Sequence, residues 1–95
     1  MTFAIPFSYT VAPEMRAEFE AVYGPDGTWE RFFRADAHYA GTTLEPVGEG
    51  EYLVTDHWSS RADFEAFLER NAARYEALSR AGARLYVSER RLPLT

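Results

Sequence analysis

Residues 41–64 read "GTTLEPVGEGEYLVTDHWSSRADF", and the change of period inside this stretch decides the fold. Two runs rich in Thr, Val, Leu and Tyr flank "GEG" at 48–50, which is the pattern of a β-hairpin. Past Trp58 the alternation stops. Ser60, followed three residues later by Asp63, forms a capping box with Asp in place of Glu, so a helix begins there. With Gly48 and Glu49 as a two-residue loop, Tyr39 lies opposite Trp58, Gly41 opposite Asp56, Thr43 opposite Val54 and Glu45 opposite Tyr52, all on one face. Ala40, Thr42 and Leu44 then face His57, Thr55 and Leu53 on the other. Neighbours in a strand point to opposite faces, so Asp56 and His57 form no acid–base dyad in regular β structure.

Upstream of the hairpin, Phe3, Ile5, Phe7, Tyr9 and Val11 alternate with smaller or polar residues and define a first strand. Pro6 removes one ladder donor from it. Pro13 suits the first turn of a helix, and Met15, Phe19, Val22 and Tyr23 follow at helical spacing. After "GPDG", Thr28 is placed to cap a short helix carrying Trp29, Phe32 and Phe33. Downstream, Phe64, Phe67, Leu68, Tyr75 and Leu78 form a helical stripe with Asn71 in its middle; Gly82 ends the helix and "ARLYVSERRL" alternates as a last strand. The expected strands span about 3–11, 40–47, 50–58 and 84–92, and the helices about 13–23, 28–35 and 60–80. This βαββαβ order in one domain, residues 1–95, predicts an α+β, ferredoxin-like four-stranded antiparallel sheet with helices on one face. The other face is left open, and a homodimer that buries two such faces together is the expected assembly.

Composition narrows the function classes. The chain has 95 residues, 46% of them hydrophobic and 16% aromatic, with a net charge of −5 and no basic cluster. Nucleic acid and anionic membrane surfaces are therefore poor partners. No cysteine is present, which removes thiol nucleophiles and thiolate metal sites. The N-terminal stretch lacks a basic n-region, and no apolar run approaches the ~18 residues of a membrane helix, so a cytoplasmic location is expected. His38 and His57 have no third partner at metal-ligand spacing, and no metal site is expected.

Nearly the whole chain resembles the antibiotic biosynthesis monooxygenase-like family of the dimeric α+β barrel superfamily, through "VAPEMRAEFEAVY", "DGTWERFFR", "YAGTTL" and "YLVTDHWSSRADFEAF" in that order. The resemblance implies a cavity between sheet and helices. It also implies one of several activities: oxidation of aromatic substrates by dioxygen without a bound cofactor, haem degradation, or none assigned. The haem-degrading pattern has an Asn on the first strand, a Trp in the long helix and a His ten residues further on. Here residues 3–11 contain no Asn, and the other two positions hold Phe67 and Ala77, so no nitrogen is present to ligate haem iron at that site.

Cofactor-free oxidation needs a dry aromatic cavity, a base and donors for a developing anion. The candidates for catalysis are Asp56, Asn71 and His57. Those for substrate binding are Tyr9, Trp29, Phe33, Tyr39, Trp58, Phe67 and Tyr75. Aromatic stripes are also what a core requires, and a buried Asn71 needs a hydrogen-bond partner whether or not it meets a ligand. Two functions follow: a cofactor-independent monooxygenase acting on a small aromatic or polyketide-like molecule, or a non-catalytic protein that binds an apolar ligand in the same cavity.

Overall fold

The computed structural model describes residues 2–93. Four antiparallel strands, β1 (Phe3–Thr10), β2 (Tyr39–Gly48), β3 (Glu51–Trp58) and β4 (Ser88–Arg91), form one sheet in the order β2-β3-β1-β4. The helices are α1 (Arg16–Tyr23), α2 (Thr28–Phe33), α3 (Arg61–Arg70) and α4 (Ala72–Gly82), with single 3-10 turns at Pro13–Met15 and Ala83–Leu85. This is the expected ferredoxin-like arrangement. No helix among the described residues is long and apolar enough to cross a membrane.

β1 tolerates Pro6 for a geometric reason. A residue in an antiparallel strand sends its N–H and C=O to the same neighbour, and the Pro6 carbonyl accepts from Leu92 N at 3.0 Å, just beyond the end of β4. The missing donor thus falls where the β1–β4 ladder has already stopped. At the other edge, Pro46 lies on β2, which has a neighbour on one side only.

The hairpin register differs from the expected one. Tyr39 does pair with Trp58, but Gly41 pairs with His57 and Thr42 with Asp56. Ala40 is an extra residue on β2, and Gly41 absorbs the irregularity at φ 123°, a conformation that L side chains rarely adopt. A second shift at Val47 moves the loop to Glu49–Gly50, with Gly50 at φ 72°. The consequence is that Thr42, not Gly41, shares a face with Asp56. Leu44 likewise joins Val54 on the helix side, while Thr43 joins Thr55 on the other.

Three helical expectations also change. Gly27, not Thr28, caps α2, and Glu30 reaches back to accept from Asp26 N at 3.0 Å. The long helix divides at Asn71, whose backbone (φ −123°, ψ 25°) leaves the helical region. The segment after Gly82 turns once more to bury Leu85 and pairs as a strand only from Ser88. Half of the expected capping box is formed: Asp63 N donates to Ser60 Oγ at 3.1 Å, but the Asp63 carboxylate accepts from the hydroxyls of Ser59 and Ser60, at 2.7 and 2.8 Å, in place of the Ser60 N–H.

Helices cover one face of the sheet, and the core there forms two clusters. One gathers Ile5, Phe32, Phe33, Trp58, Phe64 and Phe67; the other gathers Tyr9, Val11, Phe19, Tyr23, Tyr52, Val54 and Leu85. Phe7 and Trp29 pack against both.

Candidate functional site

A cavity opens at the seam between the two clusters. Its floor is the sheet, with Phe7 and Tyr9 from β1 and Val54 and Asp56 from β3. Tyr23, Trp29, Phe33, Phe64, Tyr75 and Ser79 come from the helices, and Tyr86 and Glu89 close the C-terminal side. The volume is about 70 Å³ measured to water-centre positions, several times the minimum for one water. The cavity walls are mainly aromatic.

Asp56 is the buried acid of the cavity, 9% exposed. It sits there because β3 alternates Tyr52, Val54, Asp56 and Trp58 onto the helix face, the same alternation that would otherwise place a hydrophobe at this position. Thr42 Oγ1 donates to Asp56 Oδ1 at 2.8 Å, and the Tyr39 hydroxyl bonds the Thr42 hydroxyl behind it. Burial pushes the Asp56 carboxyl up to about 6; the Thr42 bond pulls against that, and the charge of Glu30 adds to it. A carboxylate of this kind remains ionised near neutral pH yet is a far better proton acceptor than an exposed one.

The opposite end of the cavity is phenolic. Tyr9 donates its hydroxyl to Glu89 Oε2 at 2.5 Å, and Tyr86 donates to Glu89 Oε1 at 3.4 Å. Burial, then the Glu89 bond and charge, holds the Tyr9 phenol well above the ordinary range. Tyr23 and Tyr75 are raised too, mainly by burial, and Tyr75 also by Asp56 and Glu89. These hydroxyls stay protonated and serve as donors.

Of the sequence candidates, Asp56, Tyr9, Trp29, Phe33 and Tyr75 line the cavity. Tyr39 stands one bond behind Asp56 through Thr42. Trp58 and Phe67 lie in the adjacent closed cluster, the indole fully buried with its Nε1 donating to no protein acceptor. Asn71 is outside the lining, and its Nδ2 donates to Phe67 O at 3.0 Å, so its amide is used at the helix break. His57 pairs with Ala4 and Gly41 and shares their side of the sheet, opposite to Asp56. Among the described residues no group of three His, Asp or Glu could hold a metal ion.

Thr42 was not among the sequence candidates, because the bulge at Ala40 is not visible in the alternation. Glu89 was not among them either; it sits in a short exposed strand whose only site signal is its pairing with Tyr9. Phe64 and Tyr23 were assigned to the core, and each does pack there while turning an edge to the cavity.

No family model and no curated protein sequence matches the chain. Solved structures do. A variant of SnoaB, a cofactor-independent oxygenase from Streptomyces nogalater, matches with TM-score 0.71 and 19% identity over 97% of this chain and 91% of that one. Rv0793 from Mycobacterium tuberculosis matches with TM-score 0.67 and 16% identity over 98% and 94%. A Chloroflexus aurantiacus protein provisionally named an antibiotic biosynthesis monooxygenase gives 0.63 and 13% over 100% and 95%. The chain shares the fold of these structures. At these identities the likeness extends to the backbone, and the chemistry must be argued from the side chains of this chain.

Proposed function

We propose that the protein is a cofactor-independent monooxygenase that oxidises a small hydroxylated aromatic or polyketide-like molecule with dioxygen in the sheet–helix cavity. The observation that carries this is a buried carboxyl, Asp56, raised to about 6 on the floor of an aromatic cavity. SnoaB, of the same fold, is a cofactor-independent oxygenase, which supports the class of reaction.

The chemistry asks little else of the protein. Asp56 accepts a proton from an activated ring methylene of an electron-rich substrate and leaves a resonance-stabilised anion. Tyr23, Tyr75 and Ser79 are hydroxyl donors in the same lining for the charge that develops. The anion gives one electron to dioxygen, and the radical pair combines as a peroxide that takes the proton back from Asp56. Cleavage of the O–O bond with loss of water then forms the carbonyl. One oxygen atom stays on the former methylene carbon, and the other leaves as water with both of the methylene hydrogens. Thr42 and Tyr39 keep the Asp56 carboxyl in place through the hydroxyl chain behind it.

Oxygen uptake with a panel of hydroxylated polycyclic aromatics tests the proposal. Turnover in the wild type that disappears in Asp56→Asn is expected, with kcat/KM rising with pH through an apparent pKa near 6 as Asp56 ionises. Saturable ligand binding that survives in Asp56→Asn, with no oxygen uptake by either protein, would identify a binder instead. We further propose that two copies pair through the helix-free sheet face, which carries Leu53, Thr55 and His57 half-buried. Sedimentation of a monomer at micromolar concentration would refute that pairing.

A further inference from the structure

The charged groups that line this cavity are of one sign. Its lining contains two carboxyls, Asp56 and Glu89, and neither an Arg nor a His. Arg91 lies opposite Phe7 on β4, but it is exposed and outside the lining. A substrate anion formed beside Asp56 therefore meets hydroxyl donors but no protein cation. Glu89 is an exposed residue, so water screens its charge, and the bias it gives the cavity against an anion is modest.

Both carboxyls are arranged to receive something. Thr42 occupies Oδ1 of Asp56, while Oδ2 accepts no bond among the described residues. Glu89 is held at the other end by two phenols, Tyr9 on Oε2 and Tyr86 on Oε1. One donor on each oxygen fixes the carboxylate and leaves its remaining lone pairs free. The rings of Tyr9 and Tyr86 stand 5.2 Å apart edge to face beside it, and ring faces attract a cation as the carboxylate does. The Tyr75 phenol is raised by burial and then by both carboxyls, while the charge of Arg91 pulls it down, so the carboxyls outweigh the one cation whose field reaches that hydroxyl.

We infer that the cavity selects an aromatic molecule carrying a protonated amine, with its rings against Phe7, Trp29 and Phe33 and its ammonium beside Glu89. The strand register places Asp56 opposite Ile5 and Glu89 opposite Tyr9, on either side of β1. Four residues of rise and two strand spacings separate their Cα atoms by roughly 16 Å. One small ring system does not span both carboxyls, so the ammonium preference is assigned to Glu89 alone. This names the substrate class of the oxygenase proposed above and rests on that reading for the reaction at Asp56. The charge preference itself depends only on the cavity.

Three probes of one shape and different charge test it: naphthylmethylammonium, naphthylmethanol and naphthoate, titrated at constant ionic strength and followed by tryptophan fluorescence, since Trp29 lines the cavity. The ammonium should bind at least about tenfold tighter than the carboxylate, with the alcohol between them. Glu89→Gln should bring the ammonium and the alcohol within about threefold of each other. Equal or tighter binding of naphthoate would overturn the inference, as would an ammonium preference unchanged in Glu89→Gln or no saturable ammonium binding up to the millimolar range. These titrations need no turnover. An absence of oxygen uptake would sink the oxygenase proposal while leaving the charge preference standing, and the reverse result is equally separable.

Discussion

Around Trp58, three phenyl rings, those of Phe33, Phe64 and Phe67, stand 5.2–5.5 Å from the indole, and the one guanidinium against the cluster, that of the exposed Arg74, lies 5.6 Å from the ring centre of Phe32. Around Tyr9 the spacing is almost the same, 5.0–5.2 Å to Phe19, Tyr23 and Tyr86, but most of the rings carry oxygen. Ring packing is thus common to both ends, and the phenol oxygens make the difference. Each buried hydroxyl needs a partner, and at the tyrosine end the phenols reach exposed carboxylates: Tyr9 to Glu89 and Tyr52 to Glu20, both at 2.5 Å. The hydrocarbon end closes around Trp58 and Phe67, while Phe33 and Phe64 turn to the cavity. The cavity forms where the two meet, with Asp56 on the seam.

The contrast between the ends is tested most severely at the closed one. Trp58→Ala should cost about 3–5 kcal/mol, because the indole is fully buried and its four ring neighbours cannot collapse into the space. Urea unfolding should show a large fall in midpoint, and a loss below about 1 kcal/mol would mean that this end is not the rigid one.

At the seam the sign is reversed. The folded pKa of Asp56, about 6, lies above its ordinary 3.8, so between these values the native state holds a proton that the unfolded chain has released. The contribution of Asp56 to stability is therefore full below about pH 4 and lost as pH rises through about 6. Asp56→Asn removes the charge and should be up to about 2–3 kcal/mol more stable than wild type above pH 7, with the difference vanishing towards pH 4. Unfolding midpoints for both proteins across that range measure it; parallel curves would show that Asp56 is solvated.

At the tyrosine end the largest test is steric. A Cβ added to Gly82 would collide with Tyr23 Oη, so Gly82→Ala must move a cavity wall. A loss of about 1–3 kcal/mol is expected, together with weakened probe binding. Unchanged binding would separate Tyr23 from the cavity. The smallest effect belongs to Asn71→Ala: its side-chain bond returns to its own helix, and a loss of about 1 kcal/mol with unaltered probe affinity is expected. Loss of affinity in that variant would give Asn71 a role at the ligand.

Much of the contrast between the two ends was legible in the sequence. The residues Phe3, Ile5, Phe7 and Tyr9 were assigned to one face by alternation alone, and Phe64, Phe67 and Tyr75 to one helix stripe by their spacing. The break at Asn71 was not legible. An amide in an apolar stripe signals that a partner is needed, but only the folded chain shows that the partner is the carbonyl four residues back. Glu89 was less visible still. Nothing in "SERR" distinguishes it from a solvated surface acid until β4 is laid beside β1.

What the sequence determined by itself was the order of elements, the α+β class and the separation of Asp56 from His57. These depend on periods of 2 and 3.6 residues, which the backbone imposes locally on any side chain. The tertiary structure decided the extra residue at Ala40 that turns Thr42 towards Asp56, and the pairing of Tyr9 with Glu89 across 80 residues of chain. Both depend on strand register, and register is set by how the whole sheet and its helices fill space together.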